Sequence, residues 1–125
     1  MISLILVMLA GICNSIMDIT SFKYYRSIFS KYNPNFWNPE VSWKNKYIEC
    51  DPTKGRKKLF WKINYPVQLT DSWHFCKTLG IFSYIFAIVL FNSLTDNLLL
   101  DVLILGTGRN LAFSLFYNVI LLSKT

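Results

Sequence analysis

The chain has 125 residues, of which 53% are hydrophobic, 17% aromatic and only 16% charged, with a net charge of +6. It is long enough for one domain at most, and it is poorer in charge than soluble domains, where about 25% of residues are charged. The apolar residues gather in three blocks, 2–16, 75–91 and 98–122, and a bilayer accounts for that concentration better than a water-soluble core does.

Charge is just as uneven. Eleven of the thirteen Lys and Arg residues lie between Lys23 and Lys77, and only Arg109 and Lys124 lie elsewhere. A basic segment flanked by apolar blocks favours an anionic membrane surface over nucleic acid as its partner. The three cysteines, Cys13, Cys50 and Cys76, form no CxxC pair; they give no disulfide framework, and Cys13 and Cys76 read as small buried apolar residues.

Taken in chain order, residues 2–21 read as a first span. A signal peptide is the competing reading, but no Lys or Arg precedes the apolar core. Ile12 is also too large for a lipoprotein cleavage site before Cys13. Asn14, Asp18 and Ser21 fall on one helix face. Residues 22–32 place Phe22, Tyr25, Phe29 and Tyr32 at helical spacing, which predicts an amphipathic helix continuing the span along the membrane surface.

Two Asn-Pro pairs, at Asn33 and Asn38, then predict helix breaks and turns, among the large rings of Phe36, Trp37 and Trp43. Lys54, Arg56, Lys57 and Lys58, followed by Phe60 and Trp61, suit contact with anionic headgroups. Stacking on single-stranded nucleic acid is the weaker alternative, since no nucleic-acid module surrounds them.

Residues 73–93 form the second span, capped by Thr70 or Asp71. After a short polar turn, residues 98–122 form the third. Gly106 and Gly108 there predict either a close helix approach or a break. The expected architecture is all-α: one membrane domain over residues 1–125, with three transmembrane helices and an aromatic, basic, partly helical cytoplasmic loop at 22–72. The cation-free turn and the cation-rich loop put the loop and Lys124 inside and the N-terminus outside. The expected location is a bacterial cytoplasmic (inner) membrane.

Depth singles out a polar cluster. Arg109 is about eleven residues into its span, roughly 16 Å at 1.5 Å per residue, near the midplane. A charge there costs at least about 2.5–3.5 kcal/mol and needs a partner. Asn14 and Asp18 lie at similar depth, and Asp71, His74 and Lys77 share one face of the second span. The predicted intramembrane cluster is Asn14, Asp18, Asp71, His74, Lys77, Arg109 and Asn110, with Asp18–Arg109 as its ion pair.

As an enzyme signature this is weak. One histidine and scattered cysteines argue against zinc, Gly106-Thr107-Gly108 lacks the lysine of a phosphate loop, and no serine sits in a nucleophile elbow. No metal or cofactor is expected, and any catalysis would fall to His74 oriented by Asp71. Phe36-Trp37-Asn38-Pro39, Ser42-Trp43-Lys44-Asn45-Lys46-Tyr47 and Asp71-Ser72-Trp73-His74 resemble stretches of uncharacterised small three-span membrane proteins of Bacteroidota type, a resemblance that implies the fold and carries no activity.

Three functions are compatible with these residues. The first expectation is a small non-catalytic subunit that packs against a larger membrane complex, or against its own copies, and touches anionic lipid. A membrane enzyme acting on a lipid headgroup is the second. The third is a proton or ion pathway component using Asp18, His74 and Arg109, or a homo-oligomeric channel.

Overall fold

The computed structural model describes residues 1–123; Lys124, used above for orientation, lies outside them. The helices are α1 (Ile2–Lys23), the single-turn α2 (Pro34–Trp37) and α3 (Pro39–Ser42), α4 (Ser72–Val89) and α5 (Leu98–Leu115). A minimal antiparallel hairpin, β1 (Lys58–Phe60) and β2 (Ile63–Asn64), lies between α3 and α4. The fold is therefore mostly helical, with three helices long and apolar enough to cross a membrane and a structured loop between the first and second.

The middle helix in space is the first in sequence. α1 packs against both α4 and α5, antiparallel to α4 and parallel to α5. Its buried positions are mostly small: Ser3, Ala10, Gly11, Cys13 and Ser15. Lipid tails are as apolar as Leu, so small side chains that let backbones approach hold such helices together. At Gly11 the approach is closest, because a Cβ there would collide with the Arg109 carbonyl oxygen. Gly80 faces the Cys13 Cβ at 3.5 Å on the other side. Of the two glycines expected to matter in the third span, Gly108 abuts the Leu4 side chain, while Gly106 faces open space. Neither breaks α5, which is helical throughout. Two buried hydroxyls within the spans turn back onto their own helix: Ser15 donates to the Ile12 carbonyl at 2.7 Å and Ser83 to that of Leu79 at 2.8 Å.

Two span ends differ from expectation. The second span stops at Val89, not at 93. Ser3 Oγ donates to the Leu90 carbonyl at 3.2 Å, and Ser93, Leu94 and Thr95 are drawn onto Asp101, so these residues are committed to the turn. The third span closes in a π-helical turn, Phe116–Ile120. It delivers Leu121 into a core cluster with Ile19, Tyr24 and Phe29.

Residues 22–32 are a correction. The helix ends at Lys23, and two 3-10 turns follow, Tyr24–Arg26 and Ile28–Lys31, separated by an extended Ser27. Ser27 pairs with Leu122: Ile28 N–H donates to the Leu121 carbonyl at 2.9 Å and Ser123 N–H to that of Arg26 at 2.8 Å. This backbone staple ties the end of the third span to the start of the loop. Phe29 and Tyr24 turn inward, whereas Phe22, Tyr25 and Tyr32 are exposed, so the predicted apolar face does not exist.

The loop is built on repeated Asx-Pro caps. Asn33 Oδ1 accepts from Asn35 N–H at 3.0 Å, Asn38 Oδ1 from Glu40 N–H at 3.0 Å and Asp51 Oδ1 from Thr53 N–H at 2.9 Å. In each case a proline follows at the first helical position, where its missing N–H costs nothing. The Asn-Pro pairs thus start helical turns as well as interrupting the chain. Trp37 stacks on Phe29, with ring centroids 4.2 Å apart. Asn45 bolts the loop to the start of α4, its Nδ2 donating to the Thr70 carbonyl at 2.9 Å and to the Asn35 carbonyl.

Candidate functional site

Polar side chains collect in three places. The first is a cavity of about 150 Å³ between α1 and α4, closed on one side by α5. Asn14, Lys77 and Arg109 line it, with Cys13, Cys76 and Tyr84. Arg109 is the central residue of the candidate span Leu98–Ile120, and its backbone is held against Gly11. Its Nε donates to Tyr84 Oη at 3.1 Å, its Nη1 to Asn110 Oδ1 at 3.0 Å, and its guanidinium lies 5.8 Å from the Phe113 ring centroid. These partners are all neutral. Lys77 lines the cavity with its stem and carries its ammonium to 4.8 Å from the Trp73 ring centroid, the behaviour of a lysine reaching for the headgroup level.

Among the described residues there is one Lys or Arg ion pair, Lys54–Glu49, and His74 Nδ1 is hydrogen-bonded to Asp71. The expected Asp18–Arg109 pair is therefore not formed. Asp18 is half-buried on α1 and lines neither the Arg109 cavity nor the His74 cleft. The three residues of the pathway reading, Asp18, His74 and Arg109, form no hydrogen-bonded chain among the described residues.

The second place is the start of α4. Asp71 is buried, and its Oδ1 caps the helix by accepting from His74 N–H at 2.9 Å. The same carboxylate meets His74 Nδ1 at 2.8 and 3.0 Å, and Thr70 Oγ1 donates to Oδ2 at 3.2 Å. A carboxylate accepts only, so the ring proton is assigned to Nδ1. His74 and Asp71 line a cleft of about 220 Å³ together with Trp37, Trp43 and Trp73 and several hydroxyls. The predicted cluster is thus two sites. Asn14, Arg109 and the side of Lys77 line one cavity, with Asn110 bonded to Arg109; Asp71 and His74 pair at the loop end.

The third place is the hairpin. Lys54, Arg56 and Lys58 are exposed and Lys57 is half-exposed, and Trp61, at the turn with φ of +33°, is 96% exposed. Gly55 supplies the left-handed φ of +81° that leads the chain into it. Phe60 and Ile63 stand out beside Trp61.

Four positions were not singled out from sequence. Tyr84 is the cross-helix partner of Arg109. Gly11 sets the α1–α5 distance. Asn45 ties the loop. Asp101, noted only as an acid in the third span, is buried and accepts from Ser93 Oγ at 2.7 Å, Leu94 N–H at 3.0 Å and Thr95 Oγ1 at 2.7 Å. The legible signal for Asp101 was an acid one turn into a span behind a Ser-Leu-Thr turn. No such signal marks Tyr84 or Gly11. No protein-family model, no curated protein and no solved structure matches this chain.

Proposed function

We propose that the protein is a small non-catalytic subunit of a larger integral-membrane assembly, and that Arg109 docks it there. One observation carries the reading: a guanidinium at the centre of a span, with neutral partners only, on the helix that this chain covers least. Just 11% of the most apolar window of the third span is buried, against 39% for the first. An arginine at that depth is costly unless a carboxylate or a polar pore meets it, so an acidic group on a neighbouring transmembrane helix completes the site. Large apolar side chains along α4 and α5, such as Phe82, Ile85 and Val102, are exposed and suit a helix–helix contact. The loop, tied by the backbone staple and by Asn45, forms a second contact platform. Its cations suit the cytoplasmic side of a bacterial inner membrane, and the hairpin cations with Trp61 suit anionic headgroups.

Purification from native membranes in mild detergent tests this reading. A stable larger partner copurifies with the wild type and is lost with Arg109→Leu, a change that leaves the helix itself content in lipid. A monodisperse lone chain from native membranes contradicts it.

The Asp71–His74 geometry favours a second reading, an enzyme acting on a lipid headgroup with His74 as general base, because Asp71 orients the ring as such pairs require. It predicts that His74→Ala abolishes turnover of a phospholipid with helicity unchanged; turnover that survives the substitution removes it.

A further inference from the structure

Two thiols that neither reading uses meet between α1 and α4. Cys13 and Cys76 are 2% and 4% exposed, both are free, and their side chains are hydrogen-bonded to each other. Gly80, one turn after Cys76, leaves space on α4 for the Cys13 side chain. Other small buried positions on these two helices are Ala10, Ser15, Ser83 and Ala87. Where the two helices border the Arg109 cavity, both carry sulfur. Met17 adds a third sulfur: it follows Cys13 at i+4, on the same helix face, and lines the same cavity.

The donor set selects the ion. The cavity lining holds these sulfurs and neither an imidazole nor a carboxylate. Zinc takes four ligands, completed by histidine, further cysteines or a carboxylate, and calcium and magnesium require oxygens. Thiolate and thioether donors without harder partners select Cu(I), an ion that two thiolates on facing helices hold between them. The scattered cysteine spacing that argued against zinc does not reach this pair, which is far apart in sequence and adjacent only in the fold. Charge agrees with the donors. As each Cu–S bond forms, its thiol gives up a proton to solvent, so two thiolates and one Cu(I) together carry a single negative charge. The cavity that receives it is lined by Arg109, whose own hydrogen-bond partners are neutral. At about 150 Å³ the cavity has room for the ion, and it is not enclosed, which leaves the entry path that a metal site needs.

We propose that Cys13 and Cys76 bind one Cu(I) ion per chain as a bis-thiolate bridging α1 and α4, with Met17 as a third, weaker ligand and Arg109 as the compensating charge. The inference does not rest on the docking reading, and its test leaves Arg109 in place.

The experiment uses the full chain, reduced and kept anaerobic in a neutral detergent, and titrates it against the coloured Cu(I) complex of bathocuproine disulfonate. Loss of colour reports transfer of Cu(I) to the protein. One ion transfers per chain. Cys13→Ser and Cys76→Ser each weaken binding by about a hundredfold or more, and Met17→Leu, which keeps the volume, by about tenfold, set against the 10–100-fold that supporting residues of metal sites cost. Cys50→Ser, in the loop, changes nothing. Wild-type affinity in the Cys13→Ser, Cys76→Ser double variant overturns the site, and equally tight binding of Zn(II) by the wild type overturns the choice of ion. Should the serine variants fail to fold, X-ray absorption at the copper edge of the loaded wild type decides: sulfur neighbours alone are the expected result, and nitrogen or oxygen neighbours overturn the proposal.

Discussion

Asp101 and Arg109 are two charges on one helix, little more than two turns apart, and they are handled in opposite ways. Asp101 is 1% exposed, yet three donors from the preceding turn, two hydroxyls and an N–H, close around its carboxylate. It is a finished structural unit, and it sets where α4 ends and α5 begins. Arg109 has a tyrosine, an asparagine and a ring face, which orient a guanidinium without neutralising it. A charge that the chain satisfies by itself belongs to folding. One that it orients and leaves open, at the depth where opening is costliest, is the one on which the proposed docking rests.

Substitutions can break this contrast from either side. Asp101→Ala removes the acceptor shared by Ser93, Leu94 and Thr95 and leaves buried donors unmet; it produces the largest loss of thermal stability of the set, read by helicity against temperature in detergent. Gly11→Ala drives a Cβ into the Arg109 carbonyl. Because the obstacle is backbone, α1 and α5 must separate, at a cost of about 1–3 kcal/mol, measurable by the same melt or by steric trapping. Tyr84→Phe removes the acceptor on Arg109 Nε while keeping the ring. It costs about 0.5–1.5 kcal/mol, and it weakens partner retention without abolishing it if Tyr84 only orients Arg109.

The smallest effect lies in the loop. Thr53 N–H, and after it the Thr53 hydroxyl, hold the Asp51 carboxyl below the usual carboxylate range. A depressed native value means that the ionised cap stabilises the fold above the unfolded value, and that this contribution is lost as pH falls through the native one. Amide exchange at residues 52–54 therefore rises on acidification, and the acid-dependent step disappears in Asp51→Asn, which still caps. An unchanged pH profile in that variant contradicts the assignment.

Much of this was legible in the residues. Three apolar blocks announced three spans, and Asp71 was readable as the cap of the second. Depth arithmetic grouped Asn14 with Arg109, and the two line one cavity, since rise per residue needs no knowledge of neighbours. It failed for Asp18, because which way a side chain points depends on how the helices are rotated against one another, and the small-residue face around Gly11 decides that rotation. The helical spacing of Phe22, Tyr25, Phe29 and Tyr32 misled for a related reason. Ser27 pairs with Leu122, far along the chain, and that long-range backbone pairing overrides a local pattern. The Asn-Pro pairs carried two meanings, a stop for the preceding chain and a start for the next turn, and only the start makes the loop a folded platform.

The central claim is that Arg109 is completed by an acidic group from another membrane protein. Its most direct test is photo-crosslinking from position 106, one turn before Arg109 on the same face and open to its surroundings, in native membranes, comparing the wild-type arginine with Arg109→Leu. The account predicts a discrete crosslinked partner with an acid at mid-span, which disappears in Arg109→Leu while the variant remains folded and inserted. Crosslinks to lipid alone in the wild type, or a partner that persists unchanged without Arg109, would contradict it.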